Sequence, residues 1–315
     1  MYESAEQLSN EGGDYVVYLD NVTRKFKSSA KFAKSTSKLE VLSAKVQSLN
    51  NGKKPMVFFP KAETLEDNLK TKKGFSVAKE LLEPIAVLKG AYYDDYSAPG
   101  YTLNSSGNLV YNRNITEEFA WENDVYVIGE EELIDCSECI QAVDPVPNPI
   151  PINSDLRIDG RTENGGKIQI LDLNDVEHWF SGKLELRMIV TGVKSGATVL
   201  RDIPFQKTKR KHFKDKKWFD YGTFLFNWNL SVLGDYNIEK WIERDGGPKG
   251  TFSITMPSTA YKPATSTTPE INAFPGATLT LNIQKDDDDL GSSLIQFTDN
   301  ISQEYPLGRA NILRQ

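Results

Sequence analysis

Four consecutive aspartates, Asp286, Asp287, Asp288 and Asp289, are the residues of this chain whose spacing points most directly to chemistry. Adjacent carboxylates raise one another's pKa unless their charge is screened. Ca²⁺ supplies such screening, because it takes about six to eight oxygen ligands from flexible loops. The run follows one predicted strand and precedes another, so it predicts a calcium site in a loop. A solvated turn explains the same residues without a metal.

A second charged run, residues 207–217, is basic. Such a cluster binds phosphate groups of lipid or nucleic acid, and it also protects an exposed edge strand from pairing with another chain. Phe213 is the only aromatic residue inside the run on which a base could stack, and this disfavours nucleic acid as the partner. An anionic surface, an unknown protein partner and a plain edge strand without a partner remain as alternatives. The candidate surface-binding residues are Lys207, Lys209, Arg210, Lys211, Lys214, Lys216 and Lys217.

The sequence around the aspartates resembles a known family. An alternating strand, then Asp-Asp-Asp-Asp-Leu-Gly and Leu-Ile-Gln-Phe, is similar to the third calcium loop and last strand of a C2 domain. The resemblance covers about residues 155–300 and implies a calcium-binding β-sandwich, with Asp172 and Asp175 in the first calcium loop. Trp179-Phe-Ser-Gly stands where the family has Asp-Pro-Tyr, and this departure bears on the number of ions and on the role of Asp172.

Enzyme signatures are missing from the sequence. There is no GxSxG, no HExxH and no phosphate-binding glycine loop, and the chain has only 2 histidines. Glu117 with Glu118, or the glutamates at 130–132, offer a carboxylate pair of the kind that glycosidases use. The sequence favours a non-enzymatic binding protein, with an envelope-associated hydrolase or a purely structural or adhesive subunit as the alternatives.

Cys136 and Cys139 form a CxxC pair that Asp135 and Glu138 accompany. A structural zinc site needs four ligands, and no second CxxC is present. The neighbouring carboxylates would raise the thiol pKa, which argues against a redox role. A local disulfide and an inert pair both remain open.

Two differently patterned halves must position these residues. Alternating prolines at 145, 147, 149 and 151 predict an extended spacer over residues 143–153. We expect an α+β domain at 1–142, with helices near 37–49, 65–69 and 77–82 and short strands, including 85–88 and 125–128. We expect an antiparallel, C2-like β-sandwich at 154–315, whose eight predicted strands alternate apolar and polar residues. The predicted strands lie at 167–171, 184–191, 198–205, 218–228, 236–243, 251–256, 278–284 and 293–297.

Charge and composition limit the class of protein further. With 39 % hydrophobic and 26 % charged residues in 315, the chain can bury a core, and no apolar stretch is long enough for a membrane-spanning helix. Residues 24–79 are locally basic and 80–156 locally acidic, which fits two segments that attract each other or a basic binding face. The sequence after Met1 lacks the features of a signal peptide. The polar, Asn- and Thr-rich strands nevertheless resemble those of secreted or envelope bacterial proteins, with a cytoplasmic location as the alternative.

Overall fold

The computed structural model describes residues 16–18, 55–61, 85–89, 96–106, 108–130, 156–192, 198–245, 249–256, 259–261, 272–274, 277–284 and 287–314. The chain divides into two compact units. Unit 1 comprises residues 1–132 together with 178–182, and unit 2 comprises residues 133–177 and 183–315. The predicted spacer at 143–153 and the cysteine pair lie outside the described residues.

Unit 1 contains a mixed β-sheet. Its strands are β1 (Val16–Tyr18), β2 (Pro55–Phe58), β3 (Ile85–Leu88), β4 (Ser97–Leu103), β5 (Leu109–Thr116) and β6 (Val125–Glu130). Their spatial order is β1-β2-β6-β3-β4-β5, in which β3 and β6 run parallel and the other neighbours antiparallel. A short helix, α1 (Glu117–Glu122), follows β5 and is capped by the Thr116 hydroxyl, which accepts a hydrogen bond from the Phe119 N–H.

A small apolar core holds unit 1 together. Val87, Ile115 and Val127 are fully buried in it, and Trp179 and Phe180, from the returning segment 178–182, belong to the same cluster. Burying such side chains contributes about 1.5–3 kcal/mol each. Two residues far along the sequence are therefore part of the first unit's core.

Unit 2 is built from antiparallel strands. They are β7 (Thr162–Ile170), β8 (Leu186–Gly192), β9 (Thr198–Pro204), β10 (Trp218–Asn227), β11 (Tyr236–Glu243), β12 (Lys249–Met256), β13 (Thr259–Tyr261), β14 (Asn272–Phe274), β15 (Ala277–Gln284), β16 (Asp288–Gln296), β17 (Glu304–Pro306) and β18 (Ala310–Leu313). One four-stranded sheet has the order β10-β7-β18-β17 and another the order β16-β11-β8-β9. Two further pairs are β12 with β15 and β13 with β14. A one-turn helix, α2 (Leu230–Leu233), follows β10.

The two four-stranded sheets share one hydrophobic core. Ile168 and Tyr221 come from the first sheet, and Met188 and Trp241 come from the second. The Tyr221 ring lies 3.9 Å from that of Phe205 and 6.1 Å from that of Trp241, measured between centroids. A core made by the inner faces of two antiparallel sheets is the arrangement expected of a β-sandwich.

The described chain is mostly β with antiparallel sheets, as predicted for its second half. Each predicted strand of that half overlaps an observed strand, and β11 matches its predicted bounds of 236–243. The last predicted strand begins earlier than expected, at Asp288, and β13, β14, β17 and β18 were not predicted. In the first half the predicted helices lie outside the described residues, so the α+β description of that half stays a prediction.

Candidate metal centre

Three glutamate side chains of unit 2 converge on one point. They are Glu177, in the segment after β7, Glu185, immediately before β8, and Glu243, the last residue of β11. One carboxylate oxygen from each lies within 4.8 Å of the other two. The exposed fractions of the three residues are 6 %, 1 % and 0 %. Three carboxyl groups are thus gathered where little water reaches them.

Strand register brings two of the three glutamates together. In the antiparallel pair of β11 and β8, Glu243 lies opposite Leu186, so Glu185 is its near neighbour. The backbone N–H of Glu185 donates to Glu243 Oε1 at 2.9 Å. The other oxygen, Glu243 Oε2, is buried and has no hydrogen-bond partner among the described residues. A buried carboxylate oxygen left in this state costs about 1–3 kcal/mol, or more if charged.

The third glutamate is held by an arginine of the basic run. Arg210 is 2 % exposed, and its Nη1 donates to the backbone carbonyl of Glu177 at 2.6 Å and to that of Leu173 at 3.3 Å. Its Nη2 donates to Asn174 Oδ1 at 3.0 Å. These contacts fix the backbone of the segment that carries Glu177.

The carboxyl groups of the cluster act on one another's ionisation. Burial raises the pKa of Glu243 well above its ordinary value, and the nearby carboxyl groups of Glu177, Glu185 and Asp245 raise it further. A cationic side chain reaches the cluster as well, since Lys207 Nζ forms an ion pair with Glu185 Oε1. Burial and the neighbouring carboxyl groups thus disfavour the charged form of Glu243, which a bound cation would favour.

The arrangement suits a hard metal ion. Carboxylate oxygens are the ligands that Ca²⁺, Mg²⁺ and Mn²⁺ prefer. Two oxygens that each lie about 2.3–2.6 Å from one Ca²⁺ are at most about 5 Å apart, which the spacing of the three glutamates satisfies. The same burial does not suit glycoside hydrolysis at these three glutamates, since a sugar needs a cleft to reach a carboxylate pair.

The structure places the predicted acidic run beside this cluster but gives its side chains other partners. Asp288 lies opposite Glu243 in the β11–β16 pair and accepts a hydrogen bond from Arg309 Nη1 at 2.6 Å. Asp289 forms an ion pair with the buried Lys240 at 2.5 Å. Burial lowers the pKa of Lys240, against the opposing effect of its pairing with Asp289. Two of the four aspartates thus have cationic side chains as counter-charges.

The other predicted calcium ligands lie in hydrogen-bonded turns or at the surface. Asp287 Oδ1 accepts from the backbone N–H of Asp245 at 3.2 Å. Asp172 Oδ1 accepts from the N–H of Asn174 at 3.0 Å, and Asp175 is exposed. Asp286 lies outside the described residues. The prediction of calcium at the aspartates therefore stays a prediction, now with a second carboxylate cluster at the same end of β11.

The basic run forms two 3₁₀ turns, Arg210–His212 and Lys214–Lys216, and its members differ in environment. Arg210 is buried and Lys207 is paired with Glu185, while Lys216 and Lys217 are exposed. The one aromatic inside the run, Phe213, is fully buried in the core of unit 2. The remaining lysines of the predicted surface, Lys209, Lys211 and Lys214, are partly exposed.

Comparison with known proteins leaves the geometry as the guide to function. No protein-family model matches the chain, and searches of curated proteins and of solved structures give no significant match. No helix in the described part of the chain is long and apolar enough to cross a membrane.

The glutamate cluster was missed at the sequence level, although Glu177 closes the Asp172–Glu177 stretch that attracted attention. Period-2 alternation assigns Glu243 to a solvent-facing position next to the apolar Ile242. All eight residues of β11 are in fact buried. A charged residue at the end of a predicted strand was the available signal, and it is a weak one.

We predict that Glu243→Gln stabilises unit 2 in the absence of added metal at neutral pH, by about 1–3 kcal/mol. Since the folded-state pKa of Glu243 is raised, the unfolded chain loses this proton first as the pH increases. The wild-type free energy of unfolding therefore contains a contribution that falls as pH rises from about 4.5 to the raised pKa. The variant lacks that contribution, and urea unfolding at several pH values measures the difference.

The control for this prediction is Glu304→Gln, the same chemical change at an exposed position of unit 2. We expect its unfolding curves to follow those of the wild type within about 0.5 kcal/mol. A Glu243→Gln variant less stable than wild type across the whole pH range would contradict the claim that the buried Glu243 carboxylate destabilises the folded state.

Proposed function

We propose that the protein is a non-enzymatic binding protein whose second unit takes up a divalent cation at Glu177, Glu185 and Glu243. The observation that carries this proposal is the buried Glu243 Oε2, which has no hydrogen-bond partner among the described residues and lies in a cluster of three carboxylates. A cation that binds there offsets charges whose burial is otherwise costly.

Calcium is the ion we favour. An all-carboxylate donor set excludes soft metals, and Ca²⁺ tolerates the irregular geometry of side chains from a loop and two strand ends better than Mg²⁺ does. Calcium sites of extracellular modules commonly have affinities of about 10⁻⁴–10⁻³ M, which suits the secreted or envelope location that we continue to expect.

The role of the ion in this proposal is to order a contact surface. The three ligands belong to the segment after β7, the residue before β8 and the end of β11, so one ion ties three separate parts of the chain together. The basic run is attached to the same place through Lys207 and Arg210. A partner with an anionic surface would then bind to the basic run after the ion has ordered the segments around it.

Calorimetric titration of the full chain with Ca²⁺, Mg²⁺ and Mn²⁺ tests the proposal. We expect one Ca²⁺ ion to bind per chain. Binding should raise the melting temperature of the protein, because a ligand of the folded state stabilises it by mass action. Glu243→Gln should weaken binding by at least tenfold, while Glu304→Gln leaves it unchanged. No heat and no thermal shift in the wild type would eliminate the proposal.

A further variant distinguishes the two carboxylate clusters. Asp288→Asn combined with Asp289→Asn removes the charges of the acidic run that are paired with Arg309 and Lys240. We expect this double variant to retain cation binding. If it loses binding while Glu243→Gln keeps it, the ion belongs to the aspartates, as the sequence originally suggested.

A structural or adhesive subunit is the second candidate. The β4–β5 hairpin favours it, because Leu103, Leu109, Val110 and Tyr111 are between 47 % and 62 % exposed. Contiguous exposed apolar side chains mark contact surfaces in many proteins. A negative cation titration would leave this candidate as the better one.

A further inference from the structure

We infer that Lys207 is a fixed counter-charge of the glutamate site and sets its preference for divalent over trivalent cations. This inference rests on the function proposed above. It starts from the ion pair between Lys207 Nζ and Glu185 Oε1, in which the Glu185 side chain is 1 % exposed and that of Lys207 33 % exposed. The ammonium group thus reaches a buried carboxylate from the rim of the cluster.

The charge count gives the lysine its role. Ligands of a metal ion must be deprotonated, so a loaded site contains three carboxylates with a charge of −3. With Lys207 in place, the three carboxylates and this ammonium group together carry −2, and the ammonium group repels a trivalent ion more strongly than a divalent one. A buried site tolerates residual charge poorly, because each uncompensated charge is expensive away from water.

Geometry allows the lysine to stay when the ion arrives. A carboxylate has two oxygens with about four lone-pair positions, so Glu185 can hold an ammonium group and a metal ion together. Glu243 contributes the oxygen that has no hydrogen-bond partner, and its other oxygen keeps the N–H of Glu185. Lys207 is therefore part of the electrostatic surroundings of the ion and does not have to leave.

Lys207→Met tests the inference, since methionine keeps an unbranched apolar side chain and removes the charge. Repulsion between a fixed charge and an ion grows in proportion to the charge of the ion. We expect the variant to bind Ca²⁺ about tenfold more tightly and Tb³⁺ about thirtyfold more tightly than the wild type. Titration calorimetry of the full chain, at one pH and ionic strength, measures both.

Lys217→Met is the matched control. It makes the same change in net charge at an exposed lysine of the same run. Its affinities for Ca²⁺ and Tb³⁺ should change by less than about twofold, because charges in solvent are screened within about 10 Å at 0.1 M salt. An equal gain in both lysine variants would mean that only net charge matters, and it would overturn the inference.

The outcomes separate this inference from the function on which it rests. Failure of the wild type to bind either ion removes the proposed function as well. Binding that Glu243→Gln weakens but Lys207→Met does not strengthen removes only the role of the lysine. Equal gains for Ca²⁺ and Tb³⁺ in Lys207→Met would show that the lysine is a competitor displaced by the ion, which also overturns the fixed counter-charge.

Discussion

Arg314→Met lowers the free energy of unfolding of unit 2 by about 3–5 kcal/mol, the usual cost of removing one member of a buried ion pair. The Arg314 side chain is completely buried and its Nε donates to Glu239 Oε2, which is equally buried. Its Nη2 donates to Asn237 Oδ1 at 2.8 Å, and its Nη1 lies 3.5 Å from Glu163 Oε1. Removing the guanidinium takes the donor from Glu239 Oε2, while the indole N–H of Trp241 still donates to Glu239 Oε1 at 2.7 Å.

Chemical denaturation followed by tryptophan fluorescence measures this loss, and Arg309→Met is its control. Arg309 is also ion-paired, with Asp288, but its side chain is 44 % exposed. Exposed pairs of this kind contribute about 0–1 kcal/mol. Similar losses in the two variants would mean that burial does not determine the strength of these pairs, contrary to the prediction.

Gly291→Ala destabilises unit 2 by about 3–5 kcal/mol, from backbone strain and from a clash. Gly291 has a φ of +109°, a backbone conformation that residues with a side chain rarely adopt. A Cβ added there would lie 1.7 Å from the carbonyl oxygen of Leu307. Gly291 bridges to Gly308, so the backbones approach too closely at this point for any side chain to fit.

Gly308→Ala separates strain from clash. Its φ is +126°, and the nearest atom to an added Cβ is the Leu290 carbonyl oxygen at 3.8 Å, which is an ordinary contact. Strain alone should therefore cost about 1–2 kcal/mol in this variant. Melting temperatures and denaturation midpoints of both variants provide the comparison. A loss at Gly308 as large as that at Gly291 would show that the clash adds nothing.

Alternation of apolar and polar residues was enough to locate most strands of unit 2. In β8 the alternation puts Leu186, Met188 and Val190 on one face, and all three lie in the common core. This works because successive side chains of a strand point to opposite sides, a property of the local backbone. The sequence therefore determined where strands occur and which apolar face they bury.

The same reasoning fails for β11, whose neighbours are set by tertiary structure. Asn237, Glu239 and Glu243 alternate with apolar residues, a pattern typical of solvent-facing positions. They are buried because β11 lies between β8 and β16 in the sheet. Arg314, which directly follows β18, also forms a buried ion pair with Glu239. Whether a charged residue can be buried depends on polar partners that lie far from it in the sequence. The local pattern of apolar and polar residues does not identify those partners.

The acidic run also has properties that the sequence determines and others that only the fold determines. Its composition indicated a need for counter-charge, which is a property of adjacent carboxylates. The register of β16 on β11 decided which counter-charge is near, and it placed Asp289 next to Lys240. The candidate metal ligands were determined at the same level, since Glu177, Glu185 and Glu243 meet only when the segment after β7 and the ends of two strands are folded together. The sequence by itself determined the charges and the strands, whereas folding determined which charges meet, because electrostatic interactions depend on distance in space and not on separation along the chain.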